Sequence, residues 1–136
     1  MTANIKVKKL NPNATLPTYG SAYAAGADLY ACMDAPVTVN PHETVMFHTG
    51  LAMEIPQGYA GLIYPANKVG VVDPDYRGEF MIALHNHSDE AQVVEPGERI
   101  AQLVITPFIT AEWELCDELC DTVRGAGGFG STGYGK

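Results

Sequence analysis

The densest group of reactive side chains lies at 70–79, Gly-Val-Val-Asp-Pro-Asp-Tyr-Arg-Gly-Glu. Asp73 and Asp75 are carboxylates, Arg77 is a cation and Tyr76 carries an aromatic hydroxyl, all around one proline-centred turn. A carboxylate held at such a turn can orient a water as a general base. A tyrosine face can stack on a sugar or a base. The same residues also suit an ordinary solvated turn with a local Asp–Arg pair, which adds little stability. A further carboxylate, Asp28, sits among small residues in Ala24-Ala25-Gly26-Ala27-Asp28-Leu29-Tyr30. It reads as a ligand for a water or a metal, or as the polar residue of a turn at a strand edge. In Pro96-Gly97-Glu98-Arg99-Ile100-Ala101-Gln102-Leu103 a turn enters a strand, where Arg99 suits a structural ion pair and Gln102 a ligand contact.

From Arg124 the chain reads Arg-Gly-Ala-Gly-Gly-Phe-Gly-Ser-Thr-Gly-Tyr-Gly-Lys. Gly125 to Gly130 satisfies G-x-G-x-x-G, but a dinucleotide site needs a strand before it and a helix after it. The six residues that follow leave no room for that helix. Simpler physics survives. Glycine amides approach phosphate oxygens closely, Arg124 is a bidentate phosphate donor, Ser131 and Thr132 add hydroxyls, and Phe129 offers an aromatic face. Without a ligand the same stretch is a frayed end, because glycine has no side chain to bury.

Other candidates are weaker. His85-Asn86-His87 puts two imidazoles on one strand face, but two ligands without a third make a poor zinc site. An exposed strand end explains them better. Cys116 and Cys120 lack the partner pair of a structural zinc site and read as reduced thiols. No nucleophile elbow accompanies any serine.

The elements that must position these residues are short. Turn signals at 11–13, 40–41, 56–58, 73–75 and 95–97 separate apolar or alternating runs. The runs are Val37 to Val39, Thr44 to Phe47, Tyr59 to Tyr64, Phe80 to Leu84, Gln92 to Val94 and Ile100 to Thr106. Regularly spaced short strands predict an all-β sandwich or barrel. Residues 111–122 differ. Trp113, Cys116 and Cys120 recur at helical spacing, as do Leu115 and Leu119, so the segment is either a helix or a strand leading into a loop.

With 136 residues, 46% of them hydrophobic and 18% charged, the chain is one ordinary domain and not a disordered polyelectrolyte. Its net charge of −8 disfavours a non-specific nucleic-acid binder, which needs a basic stripe. No apolar run reaches the length of a membrane helix. The lysines near the N-terminus precede no apolar leader, and the cysteine count of 3 is odd. A cytoplasmic, reducing location follows as the expectation.

Taken in order, four segments resemble motifs 1, 3, 4 and 5 of the trimeric dUTP diphosphatases, the dUTPases. They are Ala-Gly-Ala-Asp-Leu-Tyr at 25–30, the whole of 70–79, Gly-Glu-Arg-Ile-Ala-Gln-Leu at 97–103 and Arg-Gly-Ala-Gly-Gly-Phe-Gly-Ser-Thr-Gly at 124–133. The resemblance implies a small jelly-roll-like β-barrel over 1–123 with a flexible, glycine-rich C-terminal arm over 124–136. It implies a homotrimer with active sites at subunit interfaces, and no nucleic-acid or membrane partner. The implied reaction is hydrolysis of dUTP to dUMP and pyrophosphate, with Mg2+ chelated by the phosphates.

Carried over residue by residue, Asp73 is the general base for the attacking water. Tyr76 packs on the deoxyribose and excludes a ribose 2′-hydroxyl. Asn67 and the backbone from Lys68 to Asp73, with Gly70, Val71 and Val72 in it, form a hairpin that reads uracil, with Met81 lining it. Asp28 holds a water of the Mg2+ shell and Gln102 touches phosphate. Arg124, Gly127, Gly128 and Ser131 cradle the γ end, and Phe129 stacks over uracil. These roles agree with the chemistry, since hydrolysis of a phosphoanhydride asks mainly for positioning and charge neutralisation.

At one point the sequence departs from the family. Motif 2, an Arg-Ser-Gly-Leu-type element, belongs after Tyr59 to Tyr64 and supplies a neighbouring subunit's phosphate contacts. Here Ile63-Tyr64 runs straight into Pro65-Ala66-Asn67-Lys68-Val69-Gly70, and the chain contains no Arg-Ser pair. Each lost donor of this kind removes about 10²–10³ in rate. If that element is absent from the protein, a folded barrel with most turnover lost is expected; otherwise dUTP hydrolysis is. Two other readings share the fold: a non-catalytic trimer that binds uracil nucleotides or a protein, and a dCTP deaminase. The Asp-Pro-Asp-Tyr-Arg-Gly turn counts against the deaminase.

Overall fold

A computed structural model describes residues 2–65 and 70–128 of the chain. Among them are ten strands and no helix. The strands are β1 (Lys6–Lys9), β2 (Thr18–Tyr19), β3 (Ala27–Tyr30), β4 (Val37–Val39) and β5 (Thr44–Glu54), followed by β6 (Tyr59–Tyr64), β7 (Gly70–Val72), β8 (Glu79–His85), β9 (Gln92–Val94) and β10 (Arg99–Pro107). Every apolar run picked out in the sequence is a strand, and three of them keep the expected bounds. The strands without a clear sequence signal are β1, β2, β3 and β7. Lysine-rich β1 is an edge strand with mostly exposed side chains, a usual way to blunt an open edge.

The pairing is antiparallel throughout and mostly links strands distant in sequence. One sheet runs β1-β5-β8, a second β2-β3-β10-β6-β7, and β4 pairs with β9. This nesting of β3 with β10, β4 with β9 and β5 with β8 is the jelly-roll arrangement expected. The core forms because alternate residues face inward. Phe80 and Ile82 of β8 are buried while Met81 and Ala83 are less so, and Ala101 and Leu103 of β10 flank an exposed Gln102. Leu29, Leu51 and Ile55 complete the most deeply buried centre.

Opposite the 70–79 turn, β5 bulges. It crosses from His48 to Ala52 while β8 crosses only from Met81 to Glu79. Gly50 sits at the bulge with φ +72, and a Cβ there would lie 2.9 Å from that of Ala14, so both backbone and space require glycine. Side chains replace the interrupted ladder. Thr49 Oγ1 donates to the Phe80 carbonyl at 2.6 Å, and the Gly50 amide donates to Glu79 Oε2 at 2.9 Å.

Two local expectations change. Residues 111–122 form neither a helix nor a strand. An isolated helix of this length is marginal in water. Like charges at helical spacing, Glu114 with Glu118 and Asp117 with Asp121, oppose it further. Among the described residues no core receives its apolar side chains: Trp113 is 93% exposed and Leu115 99%. In His85-Asn86-His87 the middle residue is the buried one. Asn86 Nδ2 donates to the carbonyls of Val39 and Glu90, and its Oδ1 accepts from Ser88. The two imidazoles contact each other edge to face, with centroids 4.5 Å apart.

Candidate active site

Six residues expected at a site from sequence line one cleft of about 270 Å³: Gly70, Val71, Val72, Asp73, Tyr76 and Met81. The fold brings them together simply. Strand β7 pairs with β6 through Gly61↔Val72, Leu62↔Val71 and Ile63↔Gly70, and the turn after it leads into β8. Because β7 is the last strand of its sheet, only one of its edges is paired among the described residues. Backbone N–H and C=O groups on the other edge remain available to a ligand.

The turn between β7 and β8 is tightly bonded. The Tyr76 amide donates to the Asp73 carbonyl at 3.1 Å, closing the turn around Pro74 and Asp75. The Tyr76 hydroxyl donates to the Glu79 carbonyl at 2.8 Å, and its ring lies 6.3 Å from that of Phe80. Asp73 is exposed, and its carboxylate makes no hydrogen bond or ion pair within the described residues. It is therefore available to accept one from water. The local Asp–Arg pair considered from sequence does not form. Arg77 Nη1 donates to the Pro74 carbonyl at 2.6 Å, and Nη2 lies 3.8 Å from Glu54 Oε1.

Asp28 and Gln102 meet elsewhere, on the paired strands β3 and β10, where they are register partners. Gln102 is also the partner of Tyr64 at the end of β6, so this pair adjoins the Tyr64-Pro65 junction. The Asp28 carboxylate lies 3.7 Å from Arg99 Nη1, which is the ion pair expected for Arg99. Gly26 matters here for space. A Cβ on it would stand 2.7 Å from Gln102 Oε1, so glycine lets the amide fold over β3.

Arg124, Gly127 and Gly128 lie on the arm and are not among the residues that line the cleft. Arg124 Nε donates to the Gly127 carbonyl at 2.6 Å, in a turn where Gly125 has φ +59. Asn67, Lys68, Phe129 and Ser131 lie outside the described residues. Sequence reasoning missed the part played by Gly78 and by Glu79. Glu79 borders the cleft and also a second cavity of about 380 Å³ that includes Cys32, Asp34 and His48. Its signal was visible as the last acid of the 70–79 segment, but the partner across the bulge was not. Burial, and then the carboxylates of Glu79 and Asp34, push the Cys32 thiol above its ordinary value.

Comparisons with known proteins agree with this geometry. Residues 12–133 match the family model for dUTPase. A protein of Syntrophotalea carbinolica named deoxyuridine 5'-triphosphate nucleotidohydrolase is 48% identical over 145 residues, covering 98% of this chain and 99% of the relative. A protein of the same name from Burkholderia cenocepacia is 42% identical over 146 residues, with 98% and 99% covered. Both spans exceed the 136 residues of this chain, so each relative carries residues without a counterpart here. Among solved structures, the dUTPase of Staphylococcus bacteriophage 80alpha with dUPNHPP superposes with a TM-score of 0.88 at 29% identity, covering 97% of this chain and 99% of that one. A second structure of that phage enzyme, a mutant, gives a TM-score of 0.85 at 29% identity, covering 97% of this chain and 100% of that one. Sequence and backbone thus converge over nearly the whole length, and the chain belongs to the dUTPase family.

Proposed function

We propose that this protein hydrolyses dUTP to dUMP and pyrophosphate, with Asp73 as the general base. The observation that carries this reading is the cleft itself. It gathers Asp73, Tyr76 and the open edge of β7 on one rigid turn. In the proposed step, the Asp73 carboxylate accepts a proton from a bound water as the water oxygen forms a bond to the α-phosphorus. The bond from that phosphorus to the bridging oxygen breaks, and pyrophosphate leaves. Holding nucleophile and phosphorus in line supplies much of the rate, so a carboxylate on a braced turn suits the task.

The open edge of β7 reads uracil. Cytosine reverses donor and acceptor at two positions, so fixed backbone groups would be left unpaired against it. Asn67, Lys68 and Met81 extend this wall, and Tyr76 packs on the sugar. On the phosphate side Asp28 and Gln102 face the substrate. The family uses a divalent metal, and we assign Mg2+. Among the described residues no three acidic, histidine or cysteine side chains could cage an ion. One partly shielded carboxylate, Asp28, fits an ion held mostly by phosphate oxygens and water, which is how Mg2+ usually binds. When bound, the ion neutralises charge on the phosphates.

Arg124, Gly127, Gly128, Phe129 and Ser131, on an arm spanning 124–136, close over the triphosphate and base. A homotrimer accounts for the exposed apolar side chains between Ile109 and Val123, which a neighbouring subunit would cover. Among the described residues no helix is long and apolar enough to cross a membrane. The exposed thiols of Cys116 and Cys120 suit a reducing cytoplasm.

Pyrophosphate release from dUTP, compared with dCTP, UTP and dTTP, tests the proposal. Release from dUTP alone is expected. Equal release from dCTP would overturn the role given to β7, and no release with no binding of a non-hydrolysable dUTP analogue would overturn the whole.

A further inference from the structure

We infer that Glu79 and Gly78 are positioning residues that hold Tyr76 where it separates deoxyribose from ribose, an inference that rests on the sugar contact proposed for Tyr76. Tyr76 is 44% exposed, so packing alone does not immobilise its ring. Two features of the next residues do. The ring folds back over Gly78, where a Cβ would stand 2.6 Å from ring atom Cζ. Any larger residue at 78 must push the ring away. The hydroxyl then ends on the Glu79 carbonyl at 2.8 Å, so the phenol goes where that carbonyl is held.

The Glu79 carbonyl stands at the start of β8, beside the bulge where the β5 ladder is interrupted. Glu79 pairs with Ala52, and between that pair and His48↔Met81 the register breaks. The Glu79 side chain adds bonds of its own across the break. Its Oε2 accepts from the Gly50 amide at 2.9 Å, and its Oε1 lies 2.9 Å from His48 Nδ1, so one carboxylate spans the bulge. The carboxylate is mostly shielded, with 23% of its side chain exposed. Excluding a 2′-hydroxyl is a steric task, and the ring must keep its place to within a fraction of an ångström to perform it.

The full chain labelled with 3-fluorotyrosine tests this. Of its 7 tyrosine signals, the one belonging to Tyr76 is assigned by its loss in Tyr76→Phe. Binding of the imido analogues of dUTP and UTP gives the sugar preference without requiring turnover. Glu79→Ala is expected to move the Tyr76 signal and to narrow the preference on the order of tenfold. Glu79→Gln should restore both, since an amide can accept from Gly50 and donate to His48. Gly78→Ala should act in the same sense through the ring, without touching the bulge. Signals and preferences unchanged in both Glu79→Ala and Gly78→Ala would overturn the inference alone, provided Tyr76→Ala loses the preference. A moved signal with an unchanged preference overturns the sugar contact of Tyr76, and this inference with it.

Discussion

The turn at 73–79 and the segment after Pro107, which leads into the arm at 124–136, are built in opposite ways. In the turn, backbone and side chains bond to each other: Tyr76 to Asp73 and Glu79, Arg77 to Pro74, and Glu79 across the bulge to Gly50. After Pro107, residues 108–128 carry no strand or helix, and Ile109, Trp113, Leu115, Leu119 and Val123 expose nearly all of their apolar surface. The difference suits the work proposed for each. A general base loses rate when displaced by an ångström, so it belongs on a rigid element. A segment that admits and releases a charged substrate must open, so it draws on the low-stability end of the molecule.

Experiments can break or sharpen this contrast. The largest expected effect is at the turn. Asp73→Asn should leave binding of a non-hydrolysable dUTP analogue nearly intact while reducing pyrophosphate release by about 10²–10⁴. Retained hydrolysis would remove Asp73 from the base role. Next comes the hairpin root beside the turn. Inserting an Arg-Ser-Gly-Leu loop between Pro65 and Ala66 should raise turnover by about 10²–10³, because it restores phosphate donors absent from the chain. An unchanged rate would mean that other groups serve those oxygens.

A pair of leucines compares the core with the segment after Pro107 directly. Leu29 is fully buried and Leu119 is 85% exposed. Leu29→Ala should lower stability in urea by about 2–5 kcal/mol. Leu119→Ala should leave unfolding of an isolated subunit unchanged and weaken assembly, measured by sedimentation. Removing 124–136 should raise KM for dUTP about tenfold with the melting temperature unaltered, the sign of lost binding groups rather than lost fold. A fall in melting temperature would show that the arm is part of the core.

The smallest effect separates the thiols. Burial and two neighbouring carboxylates push Cys32 up, so less of it is thiolate at pH 8. It should alkylate several-fold more slowly than exposed Cys116 and Cys120, and gain rate as the pH rises. Glu79→Gln removes one of the two charges and should speed Cys32 alone, as read by peptide mass after limited alkylation.

Much of the barrel was legible in the sequence because alternation of apolar residues is a local property. Tyr59 to Tyr64, Val37 to Val39 and Gln92 to Val94 announce themselves as strands and are strands with those bounds. Short β2 and lysine-rich β1 escaped notice because they bury too little to pattern their residues. The apolar spacing at 111–122 misled for a related reason. Periodicity records which residues are apolar, but only a surface to pack against makes them a helix, and the described residues offer none. In the candidate site, Asp73 and Tyr76 were legible because they share one turn. Glu79 was not, because its partners at 48 and 50 are far away in sequence.

What the amino-acid sequence determined by itself is the chemistry present and its order along the chain: a carboxylate and a tyrosine on one turn, a lone aspartate among small residues, a glycine-rich end, and no Arg-Ser pair. Each depends on residue type and short spacing. Only the tertiary structure decided that Gly70 to Val72 would form an open edge facing the cleft, that Gln102 would fold over Gly26 beside Asp28, and that Glu79 would brace a bulge from across the sheet. Those relations join residues tens of positions apart, through antiparallel pairing whose register is set by which side chains the whole core can bury.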